Sequence, residues 1–322
     1  MNVYHSLAEV PPEFGPSALT IGNFDGVHYG HRRIMRRVRE IAEARGLKPS
    51  VLTFDPHPTR VVAPDRTPPL LTSPDARAAL MREEGIQQVL ILPFTREVAQ
   101  LSPEEFVAHL LVEKLGARAV LVGDNFRYGH RHAGDVALLA GLGRKLGFET
   151  EIVPAISCRG RVVSSSGIRD LIRAGHVDLA ARFLLHPYAL EGEVVSGRGV
   201  GSKQTVPTLN LATAAEVLPA NGVYVTRTID LGDERHWNSI TNVGYRPTFG
   251  DSPELSIETF LLDDFTGAAP ARIRVEFLRR VREERKFATP EALRSQILKD
   301  AGAARRYFRR LKAWTGRACI SC

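Results

Sequence analysis

Residues 18–31 read Ala18-Leu19-Thr20-Ile21-Gly22-Asn23-Phe24-Asp25-Gly26-Val27-His28-Tyr29-Gly30-His31. The first four are an apolar run that predicts a short buried strand. Apolar residues at Ile34, Val38 and Ile41 predict a helix after it. Two histidines three positions apart, with a glycine between them, therefore sit where a strand gives way to a helix. In an open α/β sheet, ligands bind beyond the carboxyl ends of the strands. A helix N-terminus there offers unpaired N–H groups and a positive dipole end to a phosphate. Glycines let the backbone come close, and imidazoles donate hydrogen bonds to phosphate oxygens. The stretch suits a nucleoside triphosphate.

The pattern around it continues in kind to about residue 185. Strand-like apolar runs at 18–21, 50–54, 88–94, 118–123 and 149–153 alternate with helical stretches. Ser73-Pro74-Asp75 is a helix start, with a capping serine, a proline in the first turn and an acid behind it. Ser102-Pro103-Glu104-Glu105 repeats it and adds a capping box from Ser102 to Glu105. Strands alternating with helices mean crossover units and a mostly parallel sheet. The first half is therefore expected to be a doubly wound, Rossmann-like α/β domain. After Pro187 the pattern changes, and several segments alternate with period two. Segments 188–195, 222–230, 235–243, 255–262 and 271–281 favour strands, with turn residues between them. They predict an antiparallel barrel or sandwich, of which the barrel is the fold expected here, closed by one helix from about Pro290 to Trp314. The domains are set at 1–186 and 187–322.

Four clusters follow successive strands of the first half. They are the His28/His31 loop, Phe54-Asp55-Pro56-His57-Pro58, Gly123-Asp124-Asn125-Phe126-Arg127-Tyr128-Gly129, and Arg161-Val162-Val163-Ser164-Ser165-Ser166-Gly167-Ile168-Arg169. Each alone has a plain structural reading as a capped helix start or a rigid turn. Together they resemble the adenylyltransferase module of bacterial bifunctional riboflavin kinase/FAD synthetases, over about residues 15–185. The resemblance implies attack of the FMN phosphate on the α-phosphorus of ATP. A phosphate monoester is already ionised, so such a site needs no base, only positioning and charge stabilisation. It implies that His28 and His31, with Gly22 and Phe24 of the same loop, bind ATP. Asn125 and Arg161 then meet the phosphates at the reacting centre, assisted by Ser164, Ser165 and Ser166. Members of the family usually carry threonine where Ser166 stands, and the hydroxyl is kept. Phe54, Pro58, Phe126 and Asn125 are assigned to the flavin. Asp55 and His57 fit either a flavin contact or a structural role.

The second half opens with Gly197, Gly199, Gly201 and Lys203 in a glycine-rich loop. Then come Val206-Pro207-Thr208-Leu209-Asn210, Asn221-Gly222-Val223-Tyr224, Asn242-Val243-Gly244-Tyr245-Arg246-Pro247-Thr248-Phe249-Gly250 and Ser256-Ile257-Glu258-Thr259. This ordered set resembles riboflavin kinase over about residues 188–312. It implies that the loop and Thr208 and Asn210 bind ATP, with Thr208 and Asn210 on Mg²⁺, for which their oxygens are acceptable ligands. Riboflavin's nucleophile is a neutral alcohol, so a base helps, and the matching residue is Glu258. Leu209 replaces the family's usual alanine. Phe265-Thr266-Gly267-Ala268 replaces a leucine-tyrosine-glycine-lysine string. The product of the second module is the substrate of the first.

Composition limits the alternatives. The chain has 322 residues, 43% hydrophobic and 25% charged, enough for two cored domains. No apolar run of about 18 residues predicts a membrane span, and the N-terminus lacks the pattern of a signal peptide. Three cysteines, Cys158, Cys319 and Cys322, make no disulfide framework and fit the cytoplasm. The terminal Cys-x-x-Cys lacks the further ligands of a metal site. Net charge is +7, concentrated in Arg272–Lys286 and Arg305–Lys312. Acidic residues interrupt these runs and no nucleic-acid motif accompanies them, so the expected partners are small-molecule substrates, with no nucleic acid, no membrane and at most a weak homo-oligomer. A single-activity nucleotidyltransferase would explain the two histidines but not the Thr208/Asn210 motif or the Glu258 strand. The basic C-terminal half would permit a nucleic-acid-binding or regulatory protein that keeps an inactive fold, but the intact site residues argue against it.

Overall fold

A computed structural model describes residues 1–158, 160–195, 208–246, 254–285 and 287–315, which form two compact units, residues 1–167 and 168–322. In the first unit six strands form one sheet: β1 (Asn2–Tyr4), β2 (Ser17–Ile21), β3 (Lys48–Asp55), β4 (Gln88–Pro93), β5 (Ala117–Gly123) and β6 (Glu149–Val153). Their order is β1-β4-β3-β2-β5-β6 and every neighbouring pair is parallel. The five apolar runs are strands, as expected. β1, short and half polar, escapes the pattern and adds an edge beside β4.

The helices between them are α1 (Tyr29–Arg45), α2 (Pro58–Val62), α3 (Pro74–Glu83), α4 (Arg96–Gln100), α5 (Pro103–Glu105, continued by wider turns over Phe106–Lys114) and α6 (Val136–Leu146). The Ser73 hydroxyl caps α3, accepting from the Ala76 N–H, and Ser102 and Glu105 form the reciprocal capping box. Leu19, Ile21, Leu52 and Val120 share one core with Phe106, Leu110 and Leu139. Ala18, Val51, Val89 and Leu121 share another with Met35, Val38 and Ile41 of α1. Helices thus cover both faces, as a parallel sheet requires. The strand order reverses direction at β2, where β3 lies on one side and β5 on the other. This is the topological switch point at which such sheets bind ligands, and the His28/His31 loop leaves from it.

A two-stranded hairpin, β7 (Ser157–Cys158) and β8 (Arg161–Val162), precedes α7 (Ser165–Arg173). In the second unit α8 (Val177–Leu184) is followed by β9 (Tyr188–Val195), β10 (Thr208–Ala212), β11 (Gly222–Asp230), β12 (His236–Arg246), β13 (Glu254–Leu261), β14 (Arg272–Arg282) and α9 (Pro290–Thr315). The strands close into a barrel, β10-β13-β12-β11-β14-β9, antiparallel throughout. Five of the six strands fall on the expected segments. β10, which carries Thr208 and Asn210, is short and half polar, and it takes its place only because β9 and β13 each offer it a partner.

The barrel is filled. Tyr224, Ile257, Val275 and Phe277 are almost wholly buried, and Thr226, Thr228, Ser239, Thr241 and Thr259 join hydroxyls within 2.8–2.9 Å of one another. Each buried hydroxyl finds a partner there, as burial demands. Outside, α8 packs on β14 and β9, burying Val177, Ala180, Phe183 and Leu184. α9 packs Ala304, Tyr307 and Phe308 over Val223, Val225 and Ile240.

This packing sets a test. A fragment 168–322 keeps α8, whereas 187–322 exposes the β14 and β9 surface beneath it. Burial of three large side chains and an alanine is worth roughly 5 kcal/mol. Urea unfolding should give a clearly lower midpoint for 187–322 than for 168–322, and equal midpoints would refute the role given to α8.

Candidate functional site

The loop between β2 and α1 is held in an unusual conformation. Phe24 and Val27 have φ of 49° and 38°, and Gly26 has φ of 80°. Positive φ is unfavourable for a β-branched residue such as Val27, so the surroundings must hold it. The holding group is Asp25, 2% exposed. Its carboxylate accepts from the Leu71 N–H at 2.9 Å, the Thr72 N–H at 3.1 Å and the Thr72 hydroxyl at 3.2 Å. The Gly26 N–H donates to the Thr72 hydroxyl at 3.0 Å, and the Ser165 hydroxyl donates to the Asp25 carbonyl at 2.9 Å. Sequence alone does not single out Asp25, whose carboxylate partners just named lie 46 and 47 residues away.

His28 precedes α1 and caps it: its Nδ1 accepts from the His31 N–H at 3.4 Å. That fixes the tautomer with the proton on Nε2. The two imidazoles stack, 3.6 Å apart and 18° from parallel, and the Phe24 ring meets His31 edge-on at 5.1 Å. Gly30 makes room, since a Cβ there would stand 3.2 Å from the His28 ring. Burial pushes His28 down to about 4, against the pull of Asp25. Burial, then His28 and Arg77, hold His31 well below the usual imidazole value. Both rings are neutral at pH 7, and each can give one N–H to an arriving oxyanion.

The other expected residues divide into groups. Phe54 is buried in the core, edge-on to Phe94 at 5.4 Å, while Asp55 is exposed. His57 caps α2 through Nδ1, and its Nε2 lies 2.9 Å from the Asn23 side-chain amide. It thereby joins the end of β3 to the loop after β2. Pro58 begins α2, and Phe126 stacks on Tyr128 at 5.4 Å. Asn125 and Arg161 are exposed. Ser164 accepts from the Gly167 N–H at 3.2 Å, Ser165 holds the loop as above, and Ser166 is exposed at the head of α7. Arg77 carries no motif that marks it. It is 3% exposed, and its Nη1 donates to the Asn23 carbonyl at 2.7 Å, the Thr53 hydroxyl at 3.0 Å and the Phe54 carbonyl at 3.4 Å.

On the barrel, register assembles a second group. Asn210 of β10 faces Glu258 of β13, which faces Asn242 of β12. In the next row Thr208 faces Phe260, which faces Ile240. Cross-strand partners share a face, and these residues line a cavity of about 230 Å³, except that Asn210 stands beside it in the same row. Leu293, Ile297 and Asp300 of α9 close the other side. Ser256 donates to Glu258 Oε1 at 2.9 Å. Arg282 pairs with Asp300 at 2.8 Å, and Gln296 also donates to Asp300 at 2.8 Å. The oxygens of Thr208, Asn210 and Glu258 form an all-oxygen set that suits a hard cation bound mainly through phosphate and water. Among the described residues no three His, Cys, Asp or Glu side chains cluster as a self-sufficient metal site. Asn242, Arg282 and Asp300 were not singled out from sequence as site residues. The segment replacing the lysine-bearing string is held by Arg235, which donates to the Thr266 and Ala268 carbonyls at 2.8 and 3.2 Å. Gly197, Gly199, Gly201, Lys203, Cys319 and Cys322 lie outside the described residues.

Residues 11–167 match the FAD synthetase family and residues 184–308 the riboflavin kinase family. A bifunctional riboflavin kinase/FMN adenylyltransferase of Pseudomonas fluorescens is 35% identical over 311 residues, covering 95% of this chain and 97% of the relative. The Bacillus subtilis protein of the same description is 32% identical over 317 residues, covering 97% and 99%. A Streptococcus pneumoniae structure described as a macrolide-efflux protein superposes with a TM-score of 0.83 and 25% identity, covering 94% and 98%. Among the described residues of this chain no helix is long and apolar enough to cross a membrane.

The histidine pair predicts a pH dependence of stability. Unfolded, each imidazole titrates near 6.5; folded, His28 titrates at about 4. Between these values the unfolded chain binds more protons, so stability falls as the pH drops through that window. The His28 contribution is at most roughly 3 kcal/mol. Urea midpoints measured from pH 7 to pH 4 should fall less steeply in His28→Gln than in the parent, and identical slopes would show that His28 is not held neutral.

Proposed function

The chain belongs to the bifunctional riboflavin kinase/FMN adenylyltransferase family, and from this premise we propose how its residues divide the work. The protein transfers a phosphoryl group from ATP to riboflavin, giving FMN, and an adenylyl group from a second ATP to FMN, giving FAD and pyrophosphate. We assign adenylylation to residues 1–186 and phosphorylation to 187–322, because the candidate residues for each reaction fall on their own side of that boundary. α8, although it precedes that boundary, serves the barrel unit as packing rather than chemistry.

In adenylylation the FMN phosphate is already an anion. The chain must align it with the α-phosphorus and stabilise the charge that builds there and on the departing pyrophosphate. The site at the switch point supports this: Gly22, Phe24, His28 and His31 with the α1 N-terminus receive the ATP phosphates. Arg161, Asn125 and Ser164–Ser166 meet the reacting centre. The loop from Phe54 to Pro58 and Phe126 face the flavin. The placement of His57, bonded to Asn23, favours a supporting role for it.

In phosphorylation the nucleophile is a neutral hydroxyl, which Glu258 relieves of its proton as the bond to phosphorus forms. The observation that carries this assignment is the row Asn210–Glu258–Asn242, with Glu258 on the lining of the cavity. Thr208 and Asn210 would hold Mg²⁺, which when bound neutralises phosphate charge. The loop of Gly197, Gly199, Gly201 and Lys203 is assigned to the same ATP. The cysteine content supports a cytoplasmic setting. The acidic residues within the basic runs support small molecules as partners rather than nucleic acid.

The two chemistries give opposite predictions. Glu258→Gln keeps the size but removes the base, and should slow riboflavin phosphorylation by about 10²-fold or more. Given FMN directly, it should form FAD at the normal rate. His28→Ala should do the reverse, lowering FAD formation by about 10²–10³-fold, the cost of one preorganised donor. Chromatographic separation of FMN and FAD reads both. Near-normal phosphorylation in Glu258→Gln, or equal loss of both activities in His28→Ala, would overturn the respective assignment.

A further inference from the structure

Arg77 of α3 is a cation placed where a cation is expensive. It is 3% exposed, and its hydrogen bonds go to two carbonyls and a hydroxyl, all neutral. Its Nε is buried with no partner. Burying an ion without close pairing costs stability, and neutral oxygens repay only part of that cost. Asp25 and Asp55 attract it from farther away, and burial still holds it below the ordinary guanidinium range. What the contacts achieve is geometric. Asn23 belongs to the loop that leads from β2 to His28, and Phe54 stands at the end of β3, just before the Asp55–Pro58 turn. Thr53 Oγ1 itself donates to the Asn23 carbonyl at 3.2 Å, so one guanidinium closes a small network across the ends of two adjacent strands. The same charge also acts on His31.

We propose that Arg77 is a positioning residue for adenylylation: it fixes the separation of the nucleotide loop after β2 from the flavin loop after β3. This rests on the assignment of those two loops made above. Aligning two bound substrates is worth orders of magnitude in rate, and a misplacement of about 1 Å costs on the order of 10²-fold. A lysine in place of the arginine keeps the charge but lacks the forked donors that reach several oxygens.

The test uses the full chain with FMN and ATP at saturation, and the riboflavin kinase activity of the same molecule as internal control. Arg77→Met should lower kcat for FAD formation by about 10²-fold, with riboflavin phosphorylation within about twofold of the parent. Arg77→Lys should lose only about tenfold. An NMR titration of the free protein should show the His31 imidazole titrating higher in Arg77→Met and unchanged in Arg77→Lys. The groups acting on His31 are its stacked neighbour His28 and Arg77, with Asp25 acting on both of these. Unchanged kcat in Arg77→Met overturns the proposal. So does a matching loss of riboflavin phosphorylation, since that is the mark of a merely structural residue. If Arg77→Met does not fold, Arg77→Lys decides: a lowered kcat for FAD formation with KM for FMN and ATP and riboflavin phosphorylation all near the parent values supports the proposal, and a parent-like kcat, or a matching loss of both activities, refutes it. Normal FAD formation in His28→Ala would instead remove the loop assignment beneath it.

Discussion

The Asp25 carboxylate is the contact on which the adenylyltransferase half depends. Two backbone N–H groups and a hydroxyl from residues 71 and 72 converge on it in a nearly dry setting. Charge-assisted hydrogen bonds of this kind are shorter and stronger than neutral ones. They hold Phe24 and Val27 at positive φ, turn the chain sharply and deliver His28 to the head of α1. The stacked imidazoles, the Gly30 clearance and the Ser165 contact all presuppose that turn. Without the carboxylate the loop would have no reason to hold Val27 where it is.

The barrel works by a different constraint. An antiparallel ladder places residues by register, with no side-chain anchor needed. Once β10, β12 and β13 are paired, Asn210, Glu258 and Asn242 must lie in one row and Thr208, Phe260 and Ile240 in the next. The interior is occupied by aromatic, aliphatic and hydroxyl side chains. The reactive row is therefore on the outside, and α9 supplies the opposite wall.

Much of this is legible in the sequence, and the limits have physical causes. Strands buried on both faces show as apolar runs, and the serine caps at 73 and 102 announce themselves through local bonds. β1 and β10 leave no such signal, being short and half polar, and the partners that make them strands are distant in the chain. Motifs point to His28, His31, Thr208, Asn210 and Glu258, which carry their chemistry in residue type and spacing. Asp25, Arg77, Arg282 and Asp300 carry none by themselves. An aspartate beside a glycine reads as a turn, and an arginine on a helix reads as solvent-facing. Only the tertiary fold shows that Asp25 and Arg77 are buried and what they touch.

The closure of the barrel also governs what the chain can add to. A ladder with no ends offers no unpaired N–H and C=O row, so the barrel cannot recruit a strand from another chain. The parallel sheet does have two margins. At one, β1 is only three residues long, too short to template an extended partner. At the other, β6 carries Glu149 and Glu151, each tied by an ion pair to Arg45 or Arg37 of α1. Charges and brevity at sheet margins discourage edge-to-edge growth. A protein whose parallel sheet must assemble from distant segments thereby leaves little template for amyloid-like stacking once it has folded.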